Sequence, residues 1–266
     1  MTCAILCIGT ELTRGELVNT NTAWIAERLT DVGFEVVEQG VVDDDRPRIR
    51  AALSRLCDTA SIVIVTGGLG PTTDDVTALS VSELLGTKLV RDPVSMDQIR
   101  QRFVRLGRDM SESNAKQADF PEGATPLPNP VGTAPGFWVP IGKARAFFTP
   151  GVPSEMKKMF DEQILPKIRD AAPNDRVQVR LKTFGLPESV VGERLRGVEE
   201  AYPGVTIGYR AHIPEIEVKV LAHAATKPEA RELCERATHE VRTRLQDVIF
   251  GEGNDSFVSV IARAFR

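Results

Sequence analysis

The chain has 266 residues, of which 42% are hydrophobic and 26% charged, an ordinary globular composition with room for one large or two smaller domains and a core of real size. Its formal charge is only −4, which argues against a protein whose main task is coating nucleic acid while leaving room for a local basic groove. No apolar run approaches the roughly 20 residues needed to span a bilayer, and the N-terminus shows neither a basic region nor a small-residue cleavage site, so no membrane association and a cytoplasmic location are expected.

In chain order, Cys3 to Ile8 reads as a buried strand, followed by a polar loop from Gly9 to Asn21. Ile25, Leu29 and Val32 then repeat at helical spacing, and Gly33 stands where that helix should stop. Glu35 to Val42 is a second strand. Asp45 before Pro47 marks a helix start, with Ile49, Leu53 and Leu56 as its apolar stripe. Ile62 to Val65 is a third strand, and a glycine-rich loop follows at once. Ala78, Val81 and Leu85 mark the next helix, and Met96, Ile99, Phe103 and Leu106 another. Strands alternating with helices predict an α/β fold with a mostly parallel sheet covered on both faces.

The span from Phe120 to Gly136 carries five prolines, so it is neither a long helix nor a central strand. Short strands are expected at Phe137 to Pro140 and Ala146 to Thr149, then a helix through Met156, Met159, Phe160 and Ile164. The polar stretch Ala171 to Asp175 is read as a linker. Beyond it the pattern changes to a small α+β unit. A half-buried strand is expected at Val177 to Thr183 and a helix through Val191, Leu195 and Val198. Paired strands at Val205 to Tyr209 and Ile216 to Ala222 precede a helix from Glu229 to Gln246, and Ser256 to Phe265 begins another helix. The expected division is 1–172, 173–251 and a short 252–266 segment.

The four cysteines form no C-x-x-C pair and the three histidines are scattered, so neither a disulfide framework nor a histidine or cysteine metal site is expected. Chemistry points instead to Gly67-Gly68-Leu69-Gly70-Pro71-Thr72-Thr73-Asp74-Asp75. Glycines between a buried strand and a helix let backbone N–H groups approach an oxyanion at a helix N-terminus. Thr72 and Thr73 add hydroxyls. The alternative is a tight turn with Asp74 as a cap. The loop is not a Walker loop, since no Gly-Lys-Ser/Thr follows, and its glycine spacing is not that of the dinucleotide fingerprint.

Asp74 and Asp75 beside this loop, and Asp43, Asp44 and Asp45 after the second strand, would lie at the carboxyl ends of parallel strands, where open sheets bind ligands. Carboxylates beside phosphate call for a cation, and a magnesium-like ion held by one or two of them together with phosphate oxygens would reconcile the two; Asp43 to Asp45 could equally be helix caps. Asn19 and Asn21 could bind a ligand or serve as turn and cap residues. Asn129 to Gly136, with Gly132 and Thr133, and Thr149 to Met156, with Gly151 and Glu155, are two proline-stiffened loops suited to holding a ligand-binding shape.

Taken together and in this order, Gly9-Thr10-Glu11-Leu12, Val18-Asn19-Thr20-Asn21, Gly67 to Thr77, Asn129 to Gly136 and Thr149 to Met156 resemble the competence/damage-inducible protein A (CinA) family. The N-terminal part of that family is similar to the molybdopterin-binding domain of molybdenum-cofactor biosynthesis proteins. The resemblance implies a three-layer α/β/α domain followed by a KH-like domain. It also implies a metal-dependent ADP-ribose pyrophosphatase activity, working with a divalent ion of the Mg, Co or Mn type; a monovalent cation is a second candidate. A homodimer and an ADP-ribose-like small-molecule partner are expected. Many members continue into a nicotinamide-mononucleotide deamidase domain, which this chain, ending at Arg266, is not expected to contain.

The resemblance places functional acids at Asp43 and Asp75; in metal-assisted hydrolysis these two would hold the ion, and Glu11 and Glu155 are both open as general base. Gly67, Gly68, Gly70, Thr72, Thr73, Asp74, Asn19, Asn21, Asn129, Gly132, Thr133, Gly151 and Glu155 would contact the substrate. The cofactor-biosynthesis proteins have Gly-Gly-Thr-Gly where this chain has Leu69, which favours the CinA assignment over molybdopterin chemistry. Two alternatives stay open: binding or adenylyl transfer to a phosphorylated pterin, and a non-catalytic nucleotide or RNA-binding protein. Against RNA stands Gly185-Leu186-Pro187-Glu188, which lacks the second glycine of a KH clamp. Arg210 and His212 near the hairpin of the small unit could instead reach a ligand in a partner subunit.

Overall fold

The computed structural model describes residues 1–171, 175–253 and 255–265, and leaves the side chains of Asp170 and His212 undescribed. Residues 172–174 of the expected linker, and the proposed reach of the His212 side chain, therefore lie outside the described residues. Two compact units are present, Met1–Ala172 and Pro173–Arg266.

The first unit begins with β1 (Thr2–Ile8), α1 (Thr10–Thr13), α2 (Thr20–Asp31), β2 (Glu35–Val42), α3 (Arg46–Thr59), β3 (Ile62–Thr66) and α4 (Thr77–Leu85). It continues through β4 (Leu89–Arg91), α5 (Pro93–Arg105), a 3-10 turn (Glu112–Ala118), β5 (Asp119–Pro121), β6 (Thr125–Leu127), β7 (Gly136–Ile141) and β8 (Ala144–Thr149). It closes with α6 (Pro153–Met159), a π turn (Phe160–Ile164) and α7 (Leu165–Ile168). Six strands form one sheet in the order β2-β1-β3-β8-β7-β6. The first four run parallel, and β7 and β6 are antiparallel to their neighbours.

Alternation along each strand sends side chains to opposite faces. Ala4, Leu6, Val63, Val65 and Phe148 pack against α3 and α4 through Ile49, Leu53, Leu56 and Val81. Cys3, Ile5, Ile62, Ile64 and Phe147 pack on the other face against Ile25 and Leu29 of α2 and Met156, Met159 and Phe160. This is the expected three-layer α/β/α arrangement. All four cysteines are buried and free.

Two expected helices are interrupted for visible reasons. The one through Ile164 opens into the π turn before Pro166, which has no N–H to offer the carbonyl of Glu162. The one through Val198 is split by Gly197, whose φ of +83° is left-handed. The proline-rich span supplies only the edge strand β6 and β5, which pairs with β4 in a separate ribbon.

The second unit holds β9 (Arg176–Phe184), α8 (Glu188–Leu195), α9 (Val198–Ala201), β10 (Val205–His212), β11 (Glu215–His223), α10 (Lys227–Leu245), β12 (Ile249–Glu252) and α11 (Phe257–Ala264). Its antiparallel sheet runs β10-β11-β9-β12. Leu181, Val218 and Val220 meet Cys234, Ala237 and Val241 of α10. That helix starts in a capping box between Thr226 and Glu229. Among the described residues no helix is long and apolar enough to cross a membrane.

Candidate functional site

Parallel order brings the chain out of β1, β3 and β8 at one edge of the sheet, and hydrogen bonds fasten the three exits together. Gly67 N–H donates to Thr149 O at 3.0 Å, the Thr66 hydroxyl to Pro150 O at 2.8 Å, and Asn21 Nδ2 to Gly151 O at 2.8 Å. Gly67 has φ +111°, and a Cβ there would collide with the carbonyl of Ile8. Only glycine allows this strand end to approach its neighbour so closely.

Above these exits lies an open cavity of about 540 Å³, within the usual size range of ligand pockets. Ten of the sequence-predicted residues line it: Glu11, Gly67, Gly68, Gly70, Thr72, Asp74, Asp75, Thr133, Gly151 and Glu155. Among the described residues, no backbone or side-chain acceptor meets the N–H of Gly68, Leu69 or Gly70, so these donors remain available to an anion.

The carboxylates are individually positioned. Asp74 does not cap α4, whose N-cap is Val76 with no side-chain cap bond; Asp75 Oδ2 accepts from Thr72 N at 2.9 Å and Thr72 Oγ1 at 2.5 Å, closing the loop on itself. The Thr72 hydroxyl, helped by loop N–H groups and the Lys116 charge, also holds the exposed Asp74 carboxyl below its ordinary value. Lys116 Nζ donates to the carbonyls of Thr72 and Asp75, pinning the loop from behind. Glu155 opens α6, and its Oε2 accepts from Asn129 Nδ2 at 2.7 Å. Asn129 Oδ1 in turn accepts from the N–H groups of Val131 and Gly132. A Cβ at Gly132 would overlap the Glu155 carboxylate. Asn129 and Gly132 thus stand behind Glu155 and border a small recess away from the main cavity. Glu11 lies exposed, with its carboxylate folded over Gly9.

The three acids after β2 separate. Asp45 caps α3, accepting from Arg48 N at 2.9 Å. The carboxylate of Asp43 pairs with Arg48 at 2.6 Å and does not line the cavity. Asp44 lines it instead, its Oδ2 accepting from Thr10 N and Thr10 Oγ1, each at 2.8 Å. Sequence alone offers all three acids as candidates and the family resemblance carries Asp43 forward, whereas Asp44 is the one that lines the cavity. The signal that selects it is register: Ile8 is level with Val42, and Gly9 N–H bonds Val42 O, which brings Asp44 level with Thr10.

Asn19 and Asn21 flank a side recess of about 60 Å³ next to the main cavity. Asn19 is a helix cap, accepting from Thr22 N at 3.1 Å, with the Cys7 thiol 3.3 Å away. Asn21 is buried, and its Oδ1 has no partner. Thr73 faces a second cavity together with Gln117, a residue that nothing in the local sequence singles out. Burial pushes the Cys3 and Cys57 thiols up to about 12 and raises Cys7, so none of them supplies a thiolate.

Taken as a whole, the main cavity presents five carboxylates, from Glu11, Asp44, Asp74, Asp75 and Glu155, and no Lys, Arg or His among the described residues that line it. Across the described residues no three His, Cys, Asp or Glu side chains converge as a ready metal cage. In the second unit, Gly185 to Glu188 forms the turn between β9 and α8, with a single glycine.

The sequence matches the family model described as "Probable molybdopterin binding domain" over residues 4–170 and that described as "Damage-inducible protein CinA KH domain" over residues 178–251. Relatives include CinA-like proteins of Geobacter sulfurreducens, 41% identical, and Geobacter metallireducens, 39% identical; each match covers 100% of this chain and 65% of the relative. The chain thus spans about 65% of the length of these relatives. Among solved structures, the protein CinA with unknown function from Thermoplasma acidophilum superposes with a TM-score of 0.59 at 32% identity, covering 63% of this chain and 97% of that one.

Proposed function

Because the chain belongs to the molybdopterin-binding-domain family, in the CinA-like arrangement that adds a CinA KH domain, we propose that its first unit hydrolyses a nucleotide-type pyrophosphate bond, converting ADP-ribose and water into AMP and ribose 5-phosphate with a divalent cation. The observation that carries this reading is the cavity's charge pattern. Free loop N–H groups suit phosphate oxygens. Yet five carboxylates without one basic side chain would repel an unaccompanied pyrophosphate. Both features make sense together when the anion enters with a cation.

The donor set fits such an ion. Asp44 and Asp75 each spend Oδ2 on loop hydrogen bonds and keep Oδ1 for a ligand. Magnesium-type ions are characteristically held by one or two carboxylates, with phosphate oxygens and waters completing the shell. We therefore place the ion on Asp44 and Asp75 rather than on Asp43. When bound, it neutralises phosphate charge and makes water a better nucleophile.

The chain's own groups do the rest. The N–H groups of Gly68 to Gly70 orient the phosphates, while the Thr72 hydroxyl holds Asp75 in place. Glu155, fixed by Asn129 and sited in the first turn of α6, accepts the proton of the attacking water. A general base whose orientation is set by a third group is the arrangement hydrolysis needs; Glu11 has no such support. Water's oxygen bonds to one phosphorus as the bridging P–O bond breaks, and the bridging oxygen leaves on the other phosphate.

The test is ADP-ribose hydrolysis by the purified chain with and without Mg, Mn or Co, alongside Asp75→Ala. Metal-dependent release of AMP and ribose 5-phosphate, lost in the variant, supports the reading. No turnover with any of the ions sinks it and moves the weight to binding of a phosphorylated pterin, the reading that the matched domain's description favours.

A further inference from the structure

A second cavity, of about 180 Å³, adjoins the first and shares Gly68, Leu69, Gly70, Asp75 and Gln117 with it. Its character is different. Leu69, Val76, Leu79, Leu89 and Phe120 supply apolar walls. Of the charged groups beside it, Lys116 is engaged on the loop carbonyls, Asp119 in a paired hydrogen bond with Arg91 at 2.7 and 2.8 Å, and Asp75 through Oδ2 on Thr72 at the wall shared with the large cavity. Gln117 is the exception. It is only 6% exposed, it borders both cavities, and its Oε1 has no hydrogen-bond partner.

An unpartnered buried amide oxygen is costly and calls for an explanation. A ligand supplies one. A primary amide presents one acceptor and one N–H donor side by side along one edge, the pattern that reads the N6 amine and N7 of adenine together. Apolar walls of this extent suit a planar ring, since a cavity of roughly 150 Å³ already houses one six-membered aromatic ring. The phosphate-binding loop forms the partition, so a nucleotide could keep its phosphates in the large cavity and its base in the small one.

We propose that the small cavity is a base subsite and that Gln117 selects adenine there; this rests on the nucleotide reading of the large cavity. Guanine carries O6, an acceptor, where adenine carries its N6 donor, so with N7 it shows the amide two acceptors and leaves Oε1 unmet. Lys116 and Gln117 are neighbours on one 3-10 turn, so one short element both pins the loop and reads the base.

The decisive measurement is calorimetric binding of adenosine, guanosine, neopterin and ribose 5-phosphate without metal, to wild type, Gln117→Met and Leu79→Trp. Adenosine should bind more tightly than guanosine or neopterin. Gln117→Met should weaken adenosine about 10- to 100-fold, the cost of one paired base contact. It should also close the gap to guanosine and leave ribose 5-phosphate unchanged. Leu79→Trp, which fills the cavity from its rim, should weaken adenosine likewise, and it decides the matter if Gln117→Met fails to fold. Undetectable adenosine binding to wild type, an affinity untouched by both variants, or neopterin or guanosine bound as tightly as adenosine would overturn the proposal. The outcome is separate from hydrolysis. Turnover with unaltered adenosine binding removes the base subsite alone, whereas a Gln117 effect without turnover removes only the pyrophosphatase.

Discussion

Asp44 shows how much a single carboxylate can hold in place. It satisfies both the N–H and the hydroxyl of Thr10, and so ties the loop after β1 to the end of β2. Asp44→Ala leaves a backbone donor without its acceptor and should cost about 1.5–3 kcal/mol, read as a lower urea midpoint with an unchanged slope; an unaltered midpoint would deny the anchor. Gly132→Ala tests the other rim. Its new Cβ must displace the Glu155 carboxylate, so hydrolysis should fall at least about 100-fold, the scale of losing a positioned base, while thermal unfolding barely moves. A variant as active as wild type would remove Glu155 from the chemistry. The sequence could nominate three consecutive acids after β2 but not sort them, because the choice is made by strand register and by Arg48. Gln117 was beyond reach for a different reason: nothing in its local pattern distinguishes it from a surface glutamine, and its meaning comes from a cavity wall built largely by residues 68–79, Leu89 and Phe120.

The glycine-rich loop was legible because its requirement is written into the chain. Glycines between a buried apolar run and a helix leave few other uses, and Gly67 does meet a backbone that would exclude any side chain. What holds the loop was not legible. Lys116 reaches it from a 3-10 turn more than forty residues away. Lys116→Met should therefore raise amide hydrogen exchange across Thr72 to Thr77 by about tenfold or more, the equivalent of losing a charge-assisted hydrogen bond, with exchange in β3 unchanged. Equal exchange in both proteins would show that the loop holds itself. Helix interruptions follow the same division. Apolar spacing marked the helices through Ile164 and Val198 correctly as helical, but spacing does not register the N–H that Pro166 lacks or the left-handed turn at Gly197.

At the scale of the molecule, acid reaches the two units separately, and the second carries a buried carboxylate that reports it. In the second, Glu217 is 2% exposed, ion-paired to Lys182 and 3.6 Å from Lys219. Burial acts to raise its pKa, yet Lys182, Lys219 and Arg180 together hold it below the ordinary 4.5. A depressed carboxylate contributes stability above its unfolded value and loses it as pH falls through the folded one. Lys182→Met should thus destabilise this unit by about 3 kcal/mol at neutral pH, the lower end for breaking a buried pair, because Lys219 partly compensates. In Glu217→Gln the gap to wild type should narrow once pH drops below 4.5; a gap constant from pH 7 to pH 3 would contradict the assignment.

The first unit's cavity is walled by stretches as far apart as Gly9, Asp44, Gly67, Gln117 and Glu155. Its lining runs from Ile8 to Glu155, nearly the whole unit, and closing such distant loops is slow relative to local structure. The pocket is therefore a late product of folding, and a nascent chain cannot hold its ligand until α6 has formed. By the same logic, whatever binds there resists unfolding of the entire unit rather than of one loop: at a hundredfold excess over Kd it adds about 2.7 kcal/mol, shared by strands that never touch it.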